Sequence, residues 1–170
     1  DILPPVVRLT PEWAAAAFML GESVETSAGD PTQAGKSLRV VGTNPFIVGP
    51  KDEEGNIFLS ILRNNPDIQC FILNTGKVGG TDRGRKITVK DSVKILEMIA
   101  RDKIVWRKDE FWGYEVPVQI PGLELGQFDL SNYYPEEQIQ ELSEDLKRER
   151  LEWLSCFPSL DRDIINAIVP

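Results

Sequence analysis

The chain has 170 residues, 41% hydrophobic and 27% charged, with 13 Gly and 12 Pro. That length fits one domain or a piece of a larger one, and a compact chain of this size buries roughly 70% of its unfolded surface, so it needs no disulfide scaffold. With 19 cations against 27 acids the net charge is −8, which argues against a general nucleic-acid or anionic-membrane binder, because phosphate affinity rests on clustered cations.

Histidine is absent altogether, which removes Ser-His-Asp, Cys-His and His-metal chemistry together. Cys70 sits in an apolar run and Cys156 near the end of a helical pattern. Both read as buried thiols in a reducing cytosol. No apolar stretch approaches the roughly 20 residues of a membrane span and no signal peptide opens the chain, so a cytoplasmic protein with no membrane partner is expected. The opening Asp1-Ile-Leu-Pro-Pro, without an initiator Met, reads as a piece cut from a longer protein.

In chain order, residues 1–9 are extended and proline-bearing. Thr10-Pro11-Glu12 is a helix start: a capping hydroxyl, proline at the first helical position, and an acid near the positive end of the dipole. Trp13, Ala14, Ala17, Phe18 and Met19 give that helix a broad apolar face, four consecutive alanines suggest close packing, and Gly21 stops it. Residues 22–37 read as loop. Leu38–Val41 and Phe46–Val48 are short strand candidates around Gly42-Thr43-Asn44-Pro45. A helical pattern runs from Gly55 to Asn64 with Ile57, Phe58, Ile61 and Leu62 on one side, closed by Pro66. Ile68–Leu73 is the best candidate for a buried strand.

A long polar glycine loop follows from Asn74 to Arg85, and Ile87-Thr88-Val89 reads as a brief strand or turn. Thr88-x-x-Asp91 has the form of a capping box, and Val93, Leu96, Ile99 and Ala100 recur at helical spacing behind it. Val116–Gly122 reads as an edge segment, because its prolines cannot donate to a ladder. Tyr134-Pro135-Glu136-Glu137 starts a long helix with a stripe of Ile139, Leu142, Leu146, Trp153 and Phe157. A short helix from Asp161 to Ile168 closes the chain. With no repeats, low-complexity tracts or linker, one α/β domain over residues 1–170 is expected.

The strongest candidate for chemistry is the strand, glycine loop and helix from Ile68 to Arg101. A strand opening into a glycine-rich loop lets backbone amides approach a ligand, and open α/β folds bind at strand carboxyl ends. Lys77, Arg83, Arg85 and Lys86 add cations there. The bland reading is a solvated hairpin whose glycines only permit turns, and the lack of Walker spacing favours it on composition alone. Ala34-Gly35-Lys36-Ser37 ends like a Walker A motif, but the first glycine, the preceding strand and the following helix are missing. Asp52-Glu53-Glu54 and Glu136-Glu137 read as solvated acids that complement helix dipoles, with no catalytic or metal role. Trp106, Phe111, Trp112 and Tyr114 could stack a base, but a half-buried hairpin is the simpler account.

Taken together, the segments resemble the C-terminal part of an ATP-type phosphoenolpyruvate carboxykinase. Leu3-Pro-Pro-Val-Val-Arg-Leu-Thr10 is similar to that family's Leu-Pro-Pro-Val-x-x-Leu-Thr. Leu73-Asn-Thr-Gly76 followed by Gly79-Gly80 resembles its Val-Asn-Thr-Gly-Trp-x-Gly loop. Gly84-Arg-Lys-Ile-Thr-Val-Lys-Asp-Ser92 resembles its Gly-x-Arg-Ile-x-x-x-x-Thr adenine segment, and Val116–Gly122 its Val-Pro-x-x-x-Pro-Gly stretch. The resemblance implies a mixed sheet with flanking helices, part of a C-terminal nucleotide-binding lobe.

It also implies nucleotide-binding roles for Lys86, Ile87 and Ser92, which fall on the family's Arg, Ile and Thr. A backbone contact at Ile87 survives any side chain, Ser92 keeps a hydroxyl, and Lys86 keeps charge without a planar face. Arg85 supplies that face at the cost of a one-residue slip. The implied parent takes ATP and Mg²⁺ or Mn²⁺ and turns oxaloacetate into phosphoenolpyruvate. This chain's partners are then the nucleotide and the rest of the parent, which carries the N-terminal lobe, the phosphate loop, the metal ligands and the oxaloacetate-binding arginines. No bound cofactor and no turnover are expected of the chain alone. Two departures stand out: the family's Thr-Glu-Arg-Gly after the first helix is absent, and Lys77 replaces the Trp of the Asn-Thr-Gly loop. The alternative is therefore a non-catalytic or differently specific relative that keeps the fold.

Overall fold

The computed structural model describes residues 2–24, 37–43, 47–80 and 83–169. In chain order its elements are β1 (Val6–Leu9), α1 (Pro11–Leu20), β2 (Glu22–Val24), β3 (Ser37–Arg39), α2 (Lys51–Asn64), β4 (Cys70–Leu73), β5 (Lys77–Val78), β6 (Arg85–Lys86), α3 (Val89–Ala100), β7 (Val105–Lys108), β8 (Glu115–Gln119), α4 (Glu136–Ser155) and α5 (Arg162–Asn166). Contacts group the expected α/β domain into two compact units, one of residues 1–9 and 69–148, the other of residues 10–68 and 149–170.

The first unit is built on a four-stranded sheet in the order β4-β1-β8-β7. The α/β class with flanking helices holds, and every pairing in this sheet is antiparallel. β1 pairs along its whole length with β4, from Val6 opposite Leu73 to Leu9 opposite Cys70, and meets β8 only at Arg8 opposite Glu115. Arg8 Nε donates to Glu115 at 2.5 Å across that junction. Val6, Ile95, Met98, Ile104 and Ile120 form the core beneath.

Three expectations change here. The strand at 68–73 is an edge, so Cys70–Leu73 is only half-buried and Ile68 is exposed. β8 has neighbours on both sides in strand order, yet its proline-bearing length pairs only with β7, which tolerates the missing donor. In α3 the buried positions are Asp91, Ile95 and Met98, while Val93 and Leu96 face outward.

In the second unit, Thr10 Oγ1 accepts from the Trp13 N–H at 3.2 Å, Pro11 opens α1, and Gly21 closes it in the left-handed region at φ 50. A Cβ at Gly21 would lie 2.0 Å from the Val40 carbonyl oxygen, so only glycine fits. Ala14, Ala15 and Ala16 are buried where α1 packs on α2 and α5, as the alanine run suggested. Gly55 admits Met19, whose sulfur would sit 2.5 Å from an added Cβ.

Glu22–Val24, expected as loop, pairs with Ser37–Arg39, and no strand forms at Ile47 or Val48. Residues 25–36, including Ala34, Gly35 and Lys36 of the Walker-like end, lie outside the described residues, as does Phe46. α2 starts at Lys51, so Asp52, Glu53 and Glu54 occupy its first turn, where acids complement the dipole.

The expected stripe of α4, Ile139, Leu142, Leu146 and Trp153, is half-buried and runs beside the buried Ser143, Arg150 and Leu154, while Phe157 lies beyond the helix end. Arg150 Nε and Nη2 each donate to Glu22 at 2.7 Å, and its guanidinium lies 5.6 Å from the Trp13 ring. Charge and aromatic contact thus let an arginine occupy an interior helix position. Arg39 donates to Glu149 at 2.6 Å and approaches Glu22 at 3.4 Å. Neither thiol is the buried group expected: both are free, Cys70 is half-buried, and Cys156 is exposed.

Candidate functional site

The glycine stretch after β4 is a two-stranded ribbon, with Lys77 opposite Lys86 and Val78 opposite Arg85. Asn74 shapes its entry, donating through Nδ2 to the Leu3 and Lys77 carbonyls at 2.8 and 3.2 Å. Its Oδ1 accepts from the Gly76 N–H at 2.9 Å. Gly79, at φ 88, lies flat against Tyr133, whose ring would be 2.5 Å from a Cβ. Gly84 sits among three carbonyls, those of Gly79, Gly80 and Val78, each within 2.8 Å of where a Cβ would stand.

Strand alternation then sorts the candidate residues. Ile87 is buried with Val78 and Phe128. Arg85 shares its side of the ribbon: Nε donates to Gln127 at 2.7 Å, and the guanidinium lies 5.8 Å from the Phe128 ring and 3.9 Å from Asp91. With 38% of its side chain exposed, Arg85 is restrained yet presents a face to solvent. Lys86 points the other way and is exposed. The Ile87 N–H donates to the Gly76 carbonyl at 2.9 Å, so any backbone contact from Ile87 to a ligand falls to its carbonyl oxygen.

The capping box behind the ribbon is complete. Asp91 N–H donates to Thr88 Oγ1 at 3.2 Å, and Asp91 Oδ2 accepts from the Thr88 N–H and hydroxyl at 2.9 and 2.8 Å. Those bonds, the backbone one first, hold the Asp91 carboxyl below its ordinary range against the opposing effect of burial, and Arg85 and Lys90 assist. Ser92 follows in the first turn, half-buried, its N–H donating to the Thr88 carbonyl at 3.0 Å. Thr88→Ala removes the cap and should lower unfolding stability by about 1 kcal/mol, read from urea denaturation.

Gln127 and Phe128, which fix Arg85, were not singled out in the sequence. Their signal is their place in a short 3-10 turn at Leu125–Phe128, which no period marks. Of the aromatic residues, Trp106 packs apart, its ring 5.8 Å from that of Phe71. Trp112 and Tyr114 are buried and stacked with centroids 6.0 Å apart, and Lys147 Nζ lies 3.9 Å from the Phe111 ring. Lys147 also donates to the Phe111 carbonyl at 3.0 Å. Beside them is a cavity of about 320 Å³ lined by Trp112, Tyr114, Leu130, Ile139, Gln140 and Ser143 among others. Among the described residues no group of three or more His, Cys, Asp or Glu could hold a metal ion, and no helix is long and apolar enough to cross a membrane.

A family model described as phosphoenolpyruvate carboxykinase matches residues 1–125, which include the ribbon, its cap and α3. This chain belongs to the ATP-type phosphoenolpyruvate carboxykinase family. A phosphoenolpyruvate carboxykinase (ATP) of Aeropyrum pernix is 32% identical over 161 residues, covering 93% of this chain and 31% of the relative. The protein of that name from Rhizobium meliloti is 28% identical over 134 residues, 75% of this chain and 25% of the relative. The chain thus spans about a quarter to a third of the length of these carboxykinases.

Proposed function

We propose that this segment forms the adenine side of a nucleotide site in an ATP-dependent carboxykinase. Arg85 offers its guanidinium plane to the base, the Ile87 carbonyl accepts from the exocyclic amine, and the Ser92 hydroxyl meets a ring nitrogen. The observation that carries this reading is the restrained, partly exposed Arg85 beside the Thr88–Asp91 cap, within the stretch that the family model covers. Lys86, on the other side of the ribbon and opposite Lys77, contributes positive potential in place of stacking.

In the whole protein the reaction is loss of CO₂ from oxaloacetate and transfer of the γ-phosphoryl group of ATP to the enolate oxygen, giving phosphoenolpyruvate and ADP. Catalysis of that kind rests on positioning and on neutralising developing charge.

Calorimetric titration of ATP with Mg²⁺ into the protein as its gene encodes it tests the assignment. Ser92→Val should weaken binding roughly three- to tenfold, the value of one hydrogen bond. Equal affinity in the two proteins, or no binding in either, overturns it. The departures at Lys77 and after α1 favour a second reading, a nucleotide-binding relative without turnover. An oxaloacetate assay on the same preparation separates the two.

A further inference from the structure

We infer that Gln127 is a positioning residue for the nucleotide: its side-chain amide holds the Arg85 guanidinium in the plane that it offers to the base. The inference rests on the adenine-site reading and deepens it, naming a side chain that acts on the ligand only through Arg85. Arg85 Nε can only donate, so Gln127 turns its Oε1 toward it, and the 2.7 Å bond fixes the two side chains on each other. Phe128, the next residue, sets a second limit, with its ring centroid 5.8 Å from the guanidinium carbon. Asp91 stands 3.9 Å off, and its Oδ2 already accepts two bonds from Thr88, so it adds charge and little direction. Lys86 cannot take the part of Arg85, because alternation along β6 puts it on the other side of the ribbon, in solvent.

Gln127 is itself held in place. Phe128 beside it is buried in one cluster with Val78 and Ile87 of the ribbon. Tyr133 ties the turn to the same ribbon: its hydroxyl donates to the Gln127 carbonyl at 2.6 Å, and its ring lies 2.5 Å from where a Cβ of Gly79 would stand. Asn132 Nδ2 donates to the Gly126 carbonyl at 2.8 Å. An amide on so short and so tied a turn has little freedom, which suits it to hold a neighbour in one orientation.

An arginine 38% exposed would otherwise lose its rotamer freedom when a base stacks on it. With Gln127 in place most of that loss has been taken at folding, and the ligand is held more tightly. The ribbon does not need this bond to close. Lys77 pairs with Lys86, Val78 with Arg85, and the Ile87 N–H with the Gly76 carbonyl, all through the backbone.

The test is calorimetric titration of ATP with Mg²⁺ into the protein as its gene encodes it, for Gln127→Leu, for Arg85→Ala and for the two together. Gln127→Leu keeps bulk and removes the acceptor, and should weaken binding roughly three- to tenfold, the cost of ordering one long side chain. In the Arg85→Ala background the same change should have no further effect, which a double-mutant cycle reads as full coupling. Gln127→Glu keeps an acceptor at the same reach and should stay within about twofold of wild type. Hydrogen exchange at the Ile87 amide should be alike in wild type and Gln127→Leu; faster exchange in the variant assigns its loss to the fold and overturns the inference. A Gln127→Leu loss that is equal with and without Arg85, no loss at all, or a Gln127→Glu loss just as large also overturns it. Each of these results leaves the adenine-site reading standing when Arg85→Ala weakens binding. If Arg85→Ala binds ATP as wild type does, or wild type binds none, that reading falls and this inference with it. Should Gln127→Leu fail to fold by circular dichroism, Gln127→Ala carries the same comparison.

Discussion

Glu22→Gln should destabilise the protein at pH 7 by about 2–3 kcal/mol, because it leaves the buried Arg150 guanidinium without its counter-charge. The side chain of Arg150 is 4% exposed and that of Glu22 is 37% exposed. A fully buried pair broken on one side costs about 3–5 kcal/mol, and the water that Glu22 retains reduces the figure. Burial by itself pushes the Glu22 carboxyl up, but Arg150 and then Arg39 more than reverse that and hold it below its ordinary value of 4.5. A lowered carboxyl favours the folded state at any pH above its unfolded value, and that contribution is lost as pH falls through the folded one. The difference between wild type and Glu22→Gln should therefore be full at neutral pH and shrink below pH 4.5. Urea unfolding between pH 3 and 7 reads it directly, and a gap that persists unchanged into acid would refute the charge account.

Gly84→Ala should disrupt the ribbon that presents Arg85, Lys86 and Ile87. A methyl group there meets three carbonyl oxygens, at 2.5, 2.6 and 2.8 Å, all of them backbone and none able to swing aside. The expected loss is about 2–3 kcal/mol, the upper part of the range for overpacking. The backbone hydrogen bond from Ile87 to Gly76 closes the same ribbon, so the Ile87 amide should lose protection from hydrogen exchange. Gly126→Ala is the matched control: nothing lies within 4 Å of its Cβ position, and the effect should stay within ~0.5 kcal/mol. Equal behaviour of the two variants would mean that the ribbon is not held as described.

What the sequence made legible was punctuation. Thr10-Pro11, Gly21 and Thr88-x-x-Asp91 act over one helical turn, so local chemistry determines them, and each stands where the pattern put it. What stayed hidden needs partners far along the chain. A period of 3.6 finds apolar rows on α3 but does not say which row faces the sheet: Val93 and Leu96 fit the spacing as well as Ile95 and Met98, and only the latter pair is buried. Apolar content alone made 68–73 look interior, whereas its pairing on one side only leaves it an edge. In α4 no hydropathy pattern nominates an arginine for burial, because Arg150 is accommodated by Glu22 and Trp13, more than a hundred residues away. For the candidate site, the resemblance puts Lys86 at the family's arginine and reaches Arg85 only by a one-residue slip. Alternation along β6 separates them, restraining one against Gln127 and Phe128 and leaving the other in solvent.

The pairing of β1 with β4 has a consequence for synthesis and for length variation. Of the strands of this sheet β1 is made before its partners: the strand that faces it, with Leu9 opposite Cys70, follows only after residues 10–68, and β8 comes later still. Val6 and Val7 therefore wait for β4 and β8 while α1 and α2, whose contacts are nearer in sequence, can already form. Once the strands meet, the entropy of the closed loop grows only with the logarithm of its length, about 0.6 kcal/mol per doubling. Residues added in the connections between the packed elements of 10–68 would thus hardly register in the entropy of bringing β1 and β4 together, whereas a change inside α1 or α2 would be felt in the core of the second unit.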